Sequence, residues 1–235
     1  MSAGKIILLV FGILVVLGAV ALLFGGGVLI WANSALTDSE GFFTTKEIGL
    51  ETNSHAIVTK PADIHLRAAW IWDISNLLTV KVKGENNDTS KEIFIGIADE
   101  PDWRAYLDGV AYAEITEFKI YPSEIEYDPH EGNSTPEGPT SKAFWTAKAH
   151  GNGTQTLEWE LESGSFSLVL MNGDGSAGVD LSIVLGAKMP WIFGMGGGLL
   201  VGGVAALLIG SLMIYLAVRR RQSVSESSHA GRILE

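Results

Sequence analysis

The sequence predicts an all-β, sandwich-like extracytoplasmic domain with one short helix, flanked by two transmembrane α-helices. Three observations predict it: two long uncharged apolar runs near the ends, period-two alternation between them, and an acidic middle with basic flanks. No charged residue occurs between Lys5 and Asp38, or between Lys188 and Arg219. The apolar runs Ile6–Trp31 and Trp191–Val218 both exceed the roughly 20 residues a helix needs to cross the hydrocarbon core. Lipid offers the backbone no hydrogen-bond partner, so each run should be helical despite its glycines. A core helix of a soluble protein keeps a polar stripe for solvent, and neither run has one. The chain therefore divides into a cytoplasmic N-terminus (1–5), a first span (6–31), an outer domain (32–188), a second span (189–218) and a cytoplasmic tail (219–235).

The first run has a rival reading as a signal peptide, with Lys5 as its charged start and Ala32-Asn33-Ser34 as a small-residue cleavage site. Signal cores span about 7–15 apolar residues, so the greater length here favours an uncleaved anchor. Orientation follows from Lys5 before the first span and Arg219, Arg220 and Arg221 after the second, because basic flanks stay cytoplasmic. Trp31 and Trp191 then mark the outer interface and Tyr215 the inner one. The expected location is the cell membrane, crossed twice, with both termini inside and the lipid bilayer as the first partner.

Residues 32–188 carry 25 Asp and Glu against 11 Lys and Arg, a net charge of −14. Nucleic acid and anionic lipid both need basic patches, so neither is an expected partner of this domain. The chain has no cysteine, which removes disulfides and thiolate chemistry. A domain of about 150 residues can bury an adequate core without them.

Within the domain, Leu78, Val80 and Val82 alternate with Thr79, Lys81 and Lys83, and Gly84 to Asp88 reads as a turn. Lys91 to Ala98 is a continuous β-branched and aromatic run suited to a buried strand. Glu100 to Gly109 has acidic residues and a proline in its first turn and glycine at its end, so a short helix is expected there. Residues 121–141, rich in Pro, Gly, Glu and Ser, read as one long loop. Leu157, Trp159 and Leu161 alternate with glutamates, and Phe166, Leu168 and Leu170 follow after Ser163-Gly164, which reads as a hairpin. Asn172-Gly173-Asp174-Gly175 makes another turn before a last strand at Val179–Leu185. Phe42–Thr45, Ala56–Thr59, Ile64–Trp72 and Ala143–Ala149 have strand character too.

The most specific motif lies in the second span, where Gly194, Gly198, Gly202, Ala206 and Gly210 recur every four residues. Small residues in one stripe let helices approach closely. The partner is left open between the first span, which offers Gly18, Ala21 and Gly25, a second copy, and another membrane protein. Asn87, Asn133 and Asn152 begin sequons for glycosylation, all in the outer region. Asn172 to Ser176 has the look of a calcium loop, but Ile183 stands where the bidentate Glu belongs. Asp128, His130 and Glu131 offer metal-ligand types within the long loop, where solvated side chains are the simpler account. No cofactor motif, phosphate loop or nucleophile elbow occurs. Trp70, Trp72, Trp145 and Trp159 suit sheet packing, while Trp103 is the aromatic expected to be exposed.

Two blocks, IFIGIADEPDWRAYLDGVAYAEI at 93–115 and GTQTLEWELESGSFSLVLMNGDGSAGV at 153–179, resemble blocks of prokaryotic two-span membrane proteins with a β-rich extracytoplasmic domain and no known activity. The resemblance implies a shared envelope architecture and no catalytic residue. The expected function is a non-enzymatic binding or assembly module, with an accessory subunit of a transporter or enzyme complex as the alternative. A metal-dependent hydrolase built on His130 is a third reading.

Overall fold

The computed structural model describes residues 3–64, 78–119 and 124–219, which form two units: a helix pair and a β-rich domain. The described helices are α1 (Ala3–Ala35), α2 (Glu100–Tyr106) and α3 (Trp191–Val218). The two long ones match the two apolar runs, because uninterrupted apolar sequence leaves the backbone to satisfy itself.

The domain consists of two sheets. One contains β1 (Phe43–Thr44), β2 (Ile48–Thr52), β5 (Thr79–Asn86), β10 (Gln155–Glu160) and β12 (Val179–Lys188), in the order β1-β12-β5-β10 with β2 also on β12. The other contains β3 (Ala56–Thr59), β4 (Ala62–Ile64), β6 (Ile93–Asp99), β7 (Tyr112–Lys119), β8 (Glu124–His130), β9 (Ala147–Gly151) and β11 (Gly164–Asn172). Its order is β8-β7-β3-β11-β6-β9, with β4 beside β11. Among the described residues, all strand pairs are antiparallel except β3 with β7.

Alternation places one face of each sheet in a shared core. Val82, Leu157, Leu181 and Ile183 from the first sheet meet Ile57, Ile95, Ile97, Phe166 and Leu170 from the second. Burying each such side chain stabilises by about 1.5–3 kcal/mol. A second apolar cluster lies on the opposite face of the seven-stranded sheet, where Trp103 and Leu107 cover Val58, Phe94 and Val169. Trp145 joins it, seated on Gly96, where any side chain would meet the indole at 2.7 Å.

Four expectations are corrected. The segment around Ser163-Gly164 is not a hairpin turn, because β10 belongs to one sheet and β11 to the other, whereas Asn172–Gly175 forms the expected turn, with the Gly175 amide donating to the Asn172 carbonyl at 2.9 Å. Both strands flanking Ser163 have an apolar face, and they pack face to face, with Trp159 and Phe166 edge-on at 4.9 Å. The loop expected over 121–141 contains β8, an edge strand where Pro129 is tolerated because one side has no ladder to complete. The strand β5 continues through Gly84 instead of turning there. A Cβ at Gly84 would stand 3.0 Å from Ile93 and 3.1 Å from Ile183, so the glycine serves packing. Trp103 is fully buried, not exposed. Trp70, Trp72 and most of the run Ile64–Trp72 lie outside the described residues.

Candidate functional site

The helix pair is the most specialised surface. Gly12, Ala19 and Gly26 on α1 are buried, as are Gly196, Gly203, Gly210 and Ala217 on α3. These residues recur every seven positions. Four residues after each on α1 stand Val16, Leu23 and Ile30, so the α1 seam alternates small and large residues at the 3.5-residue mean spacing of a coiled coil. Each large residue sits over a glycine of the other helix. A Cβ on Gly196 would meet Ile30 at 2.8 Å, one on Gly203 would meet Leu23 at 2.8 Å, and one on Gly210 would meet Val16 at 2.8 Å. In return, a Cβ on Gly12 would meet Ile214 at 2.8 Å, and one on Gly26 would stand 2.7 Å from the Gly196 carbonyl oxygen. The helices run antiparallel, and Lys5 Nζ donates to the Arg219 carbonyl at 3.0 Å where α1 begins and α3 ends.

Of the stripe read from the sequence, only Gly210 takes part. Gly194, Gly198 and Gly202 have nothing within 4 Å, and Gly18 and Gly25 on α1 are equally open. Ala206 is half-buried. The reason is geometric. Four residues advance a helix by about 400°, so a four-residue stripe drifts about 40° per step and spirals off the seam. Seven residues advance about 700° and drift only about 20° back. Seven-residue spacing of Gly12, Ala19 and Gly26 was the signal to follow.

Trp31 and Trp191 are exposed, each at the helix end opposite Lys5 and Arg219. Arg219 directly follows α3, while Arg220 and Arg221 lie outside the described residues. Among the sequons, Asn87 Nδ2 donates to Asp180 at 2.6 Å while its Oδ1 accepts from Ser182 Oγ at 2.9 Å. Asn152 Nδ2 donates to Glu92 at 3.3 Å, and Asn133 is exposed after β8.

The polar side chains of the domain mostly serve its own architecture. Lys81 points outward from β5 yet is buried, because the segment before β1 folds over it. Its ammonium donates to Asp38 at 2.6 Å and Glu40 at 2.7 Å and lies 4.0 Å from the centre of the Phe42 ring. Asp38 also accepts from the Glu40 and Phe42 amides, both at 2.9 Å. The hydrogen bond from Lys81, helped by the Phe42 amide, pulls the Asp38 carboxyl down to about 2. Burial works against the Lys81 charge, but the bonds to Asp38 and Glu40 outweigh it and raise the Lys81 pKa.

At the other end of β5, buried Asn86 donates to buried Asn172 at 2.8 Å, joining the two sheets. Asn172 Nδ2 donates in turn to the carbonyls of Ser176 at 2.9 Å and Gly178 at 3.2 Å. The oxygens that gave this loop its cation-site look therefore face an amide nitrogen. Asp174, whose carboxyl is lowered by the Ser176 amide, completes an ordinary turn.

The strand β8 places Asp128 opposite Glu114 and His130 opposite Tyr112 on the face that α2 covers. The His130 imidazole stacks on Tyr112 with centroids 4.3 Å apart, and its Nε2 lies 3.6 Å from Glu114. Burial raises the Tyr112 phenol. No group of three or more His, Asp or Glu side chains gathers with metal-holding geometry among the described residues, and exposed Glu131 stands beyond the strand. Three buried polar atoms on this face, Trp103 Nε1, Ser167 Oγ and His130 Nε2, make no hydrogen bond. The arrangement offers one carboxylate–imidazole pair, Glu114 with His130. No protein-family model, curated protein or solved structure matches the chain.

Proposed function

We propose that the chain is a two-pass membrane protein of the cell envelope whose β-rich domain lies outside the membrane as a binding or assembly module. One observation carries the membrane reading. Every large apolar side chain exposed among the described residues, except Leu36, lies on α1 or α3, with Phe24 and Val201 exposed by 74% and 73%. An apolar surface of that extent needs lipid or protein around it. Basic residues at the Lys5–Arg219 end and tryptophans at the other support termini on the cytoplasmic side. The module reading is supported by how the polar clusters are used: the Lys81 and Asn172 networks fasten segments of the domain to one another.

Extraction of the full chain in mild detergent, followed by mass spectrometry of co-purifying proteins and a native mass, tests this function. A stable homo-oligomer or a recurrent small partner is the expected result. A larger membrane protein in fixed ratio supports an accessory subunit instead. A lone monomer that turns over a substrate overturns the module reading.

A further inference from the structure

We propose that α1 is a permanent half of a two-helix anchor, held in register by its small-residue seam and by Lys5, and that Ala32-Asn33-Ser34 is not a processing site. The proposal rests on the reading that both helices span the bilayer. The sequence left open whether the first apolar run is a leader removed after export.

Three observations carry it. The seam is reciprocal: each helix supplies glycines under the other's Val, Leu or Ile, and a methyl group added to Gly26 would stand only 2.7 Å from the facing backbone. A leader in transit needs only hydrophobicity. Complementary holes at a seven-residue spacing serve a standing partner. Secondly, Lys5 is used as more than a topogenic charge. Its ammonium caps the carbonyl end of α3 by donating to the Arg219 carbonyl at 3.0 Å. The last carbonyls of a helix lack partners within it and carry its negative dipole end, so a cation from the neighbouring helix satisfies both. Thirdly, α1 does not stop at the residues that look cleavable. The helix runs through Ala35, the Leu36 amide donates to the Ala32 carbonyl at 3.0 Å, and Thr37 Oγ1 donates to the Asn33 carbonyl. A peptidase reads its substrate as an extended strand, which here requires opening the last turn of the helix.

The test uses the full chain in native membranes. Intact mass and peptide mapping should show that the mature chain includes the residues of α1, and a Val16→Cys/Gly210→Cys pair should form an intramolecular disulfide on oxidation with copper phenanthroline, in a sequence that has no other cysteine. A mature product beginning at residues 33–35 overturns the proposal, and so does failure of the cysteine pair to cross-link. Labelling Ala3→Cys in sealed cells with an impermeant maleimide separates this from the topology. Reaction from outside, with mass and cross-link as expected, refutes cytoplasmic termini while α1 is retained.

Discussion

The helix pair and the β-rich domain solve the same packing problem with opposite means. In the domain, Ile, Leu, Val and Phe fill the space between two sheets, and polar pins such as Asn86–Asn172 fix where the sheets meet. In the helix pair the contact is made by removing side chains, so that Gly12, Gly26, Gly196, Gly203 and Gly210 let the backbones touch. Water drives apolar groups together, and the domain uses that drive. In the membrane setting proposed above, lipid is as apolar as leucine, so the helices would gain from van der Waals contact at close range instead. The difference teaches that a glycine here must be read by its neighbours. Gly84 and Gly96 make room for side chains of the domain core, Gly203 makes room for a whole helix, and Gly198 makes room for nothing described in this chain.

The comparison breaks most readily at its polar pin. Asn172→Leu leaves the Asn86 amide buried without its partner and frees the 176–178 carbonyls, so the domain should lose about 2–4 kcal/mol in urea unfolding of the detergent-solubilised chain. Unchanged stability would mean that apolar burial alone aligns the sheets. The next largest effect is expected in the other unit. Gly203→Leu forces a side chain onto Leu23, at a cost of about 1–3 kcal/mol for overpacking, and should abolish the cross-link between positions 16 and 210 while leaving domain unfolding unchanged.

A smaller effect sharpens the contrast through pH. Asp38 has a folded pKa of about 2 against an ordinary value of 3.8, so its ionised form favours the folded domain. That stabilisation is complete above the ordinary value and is lost as pH falls through 3.8 toward about 2. The melting temperatures of the parent and Asp38→Asn should therefore differ at pH 6 and converge near pH 2. A constant gap across that range would assign the stabilisation to something other than the Asp38–Lys81 ion pair. The smallest effect is at Gly198→Leu, which meets open space and should leave the cross-link between positions 16 and 210 intact. If it dissolves a native oligomer nonetheless, the outer stripe belongs to a partner helix.

Much of this was legible from single residues and their spacing. The two long helices, the buried strand at Ile93–Asp99 and the short helix after it follow from apolar length, β-branched content and the Pro101–Gly109 punctuation, although α1 extends to Ala35, beyond the apolar run that ends at Trp31. The strand β8 was legible too, since Ile125 and Tyr127 alternate with Glu126 and Asp128, but its proline and charge read as loop. Within the candidate site, small residues in α3 pointed to helix packing, and the seam with α1 uses Gly210 of that stripe together with Gly196 and Gly203 outside it.

By itself the sequence determined the helices and the strands with clear alternation or β-branched runs, because hydrophobic period and length act locally. It also determined the charge of the β-rich domain and the basic flanks of the long helices. Only the tertiary structure decided which strands share a sheet, which glycines lie in the helix seam, and that Lys81 and Trp103 are buried. Those outcomes depend on which surfaces meet. A strand with one apolar face can lie beside its neighbour in sequence or across the core from it, and local pattern is the same in both cases.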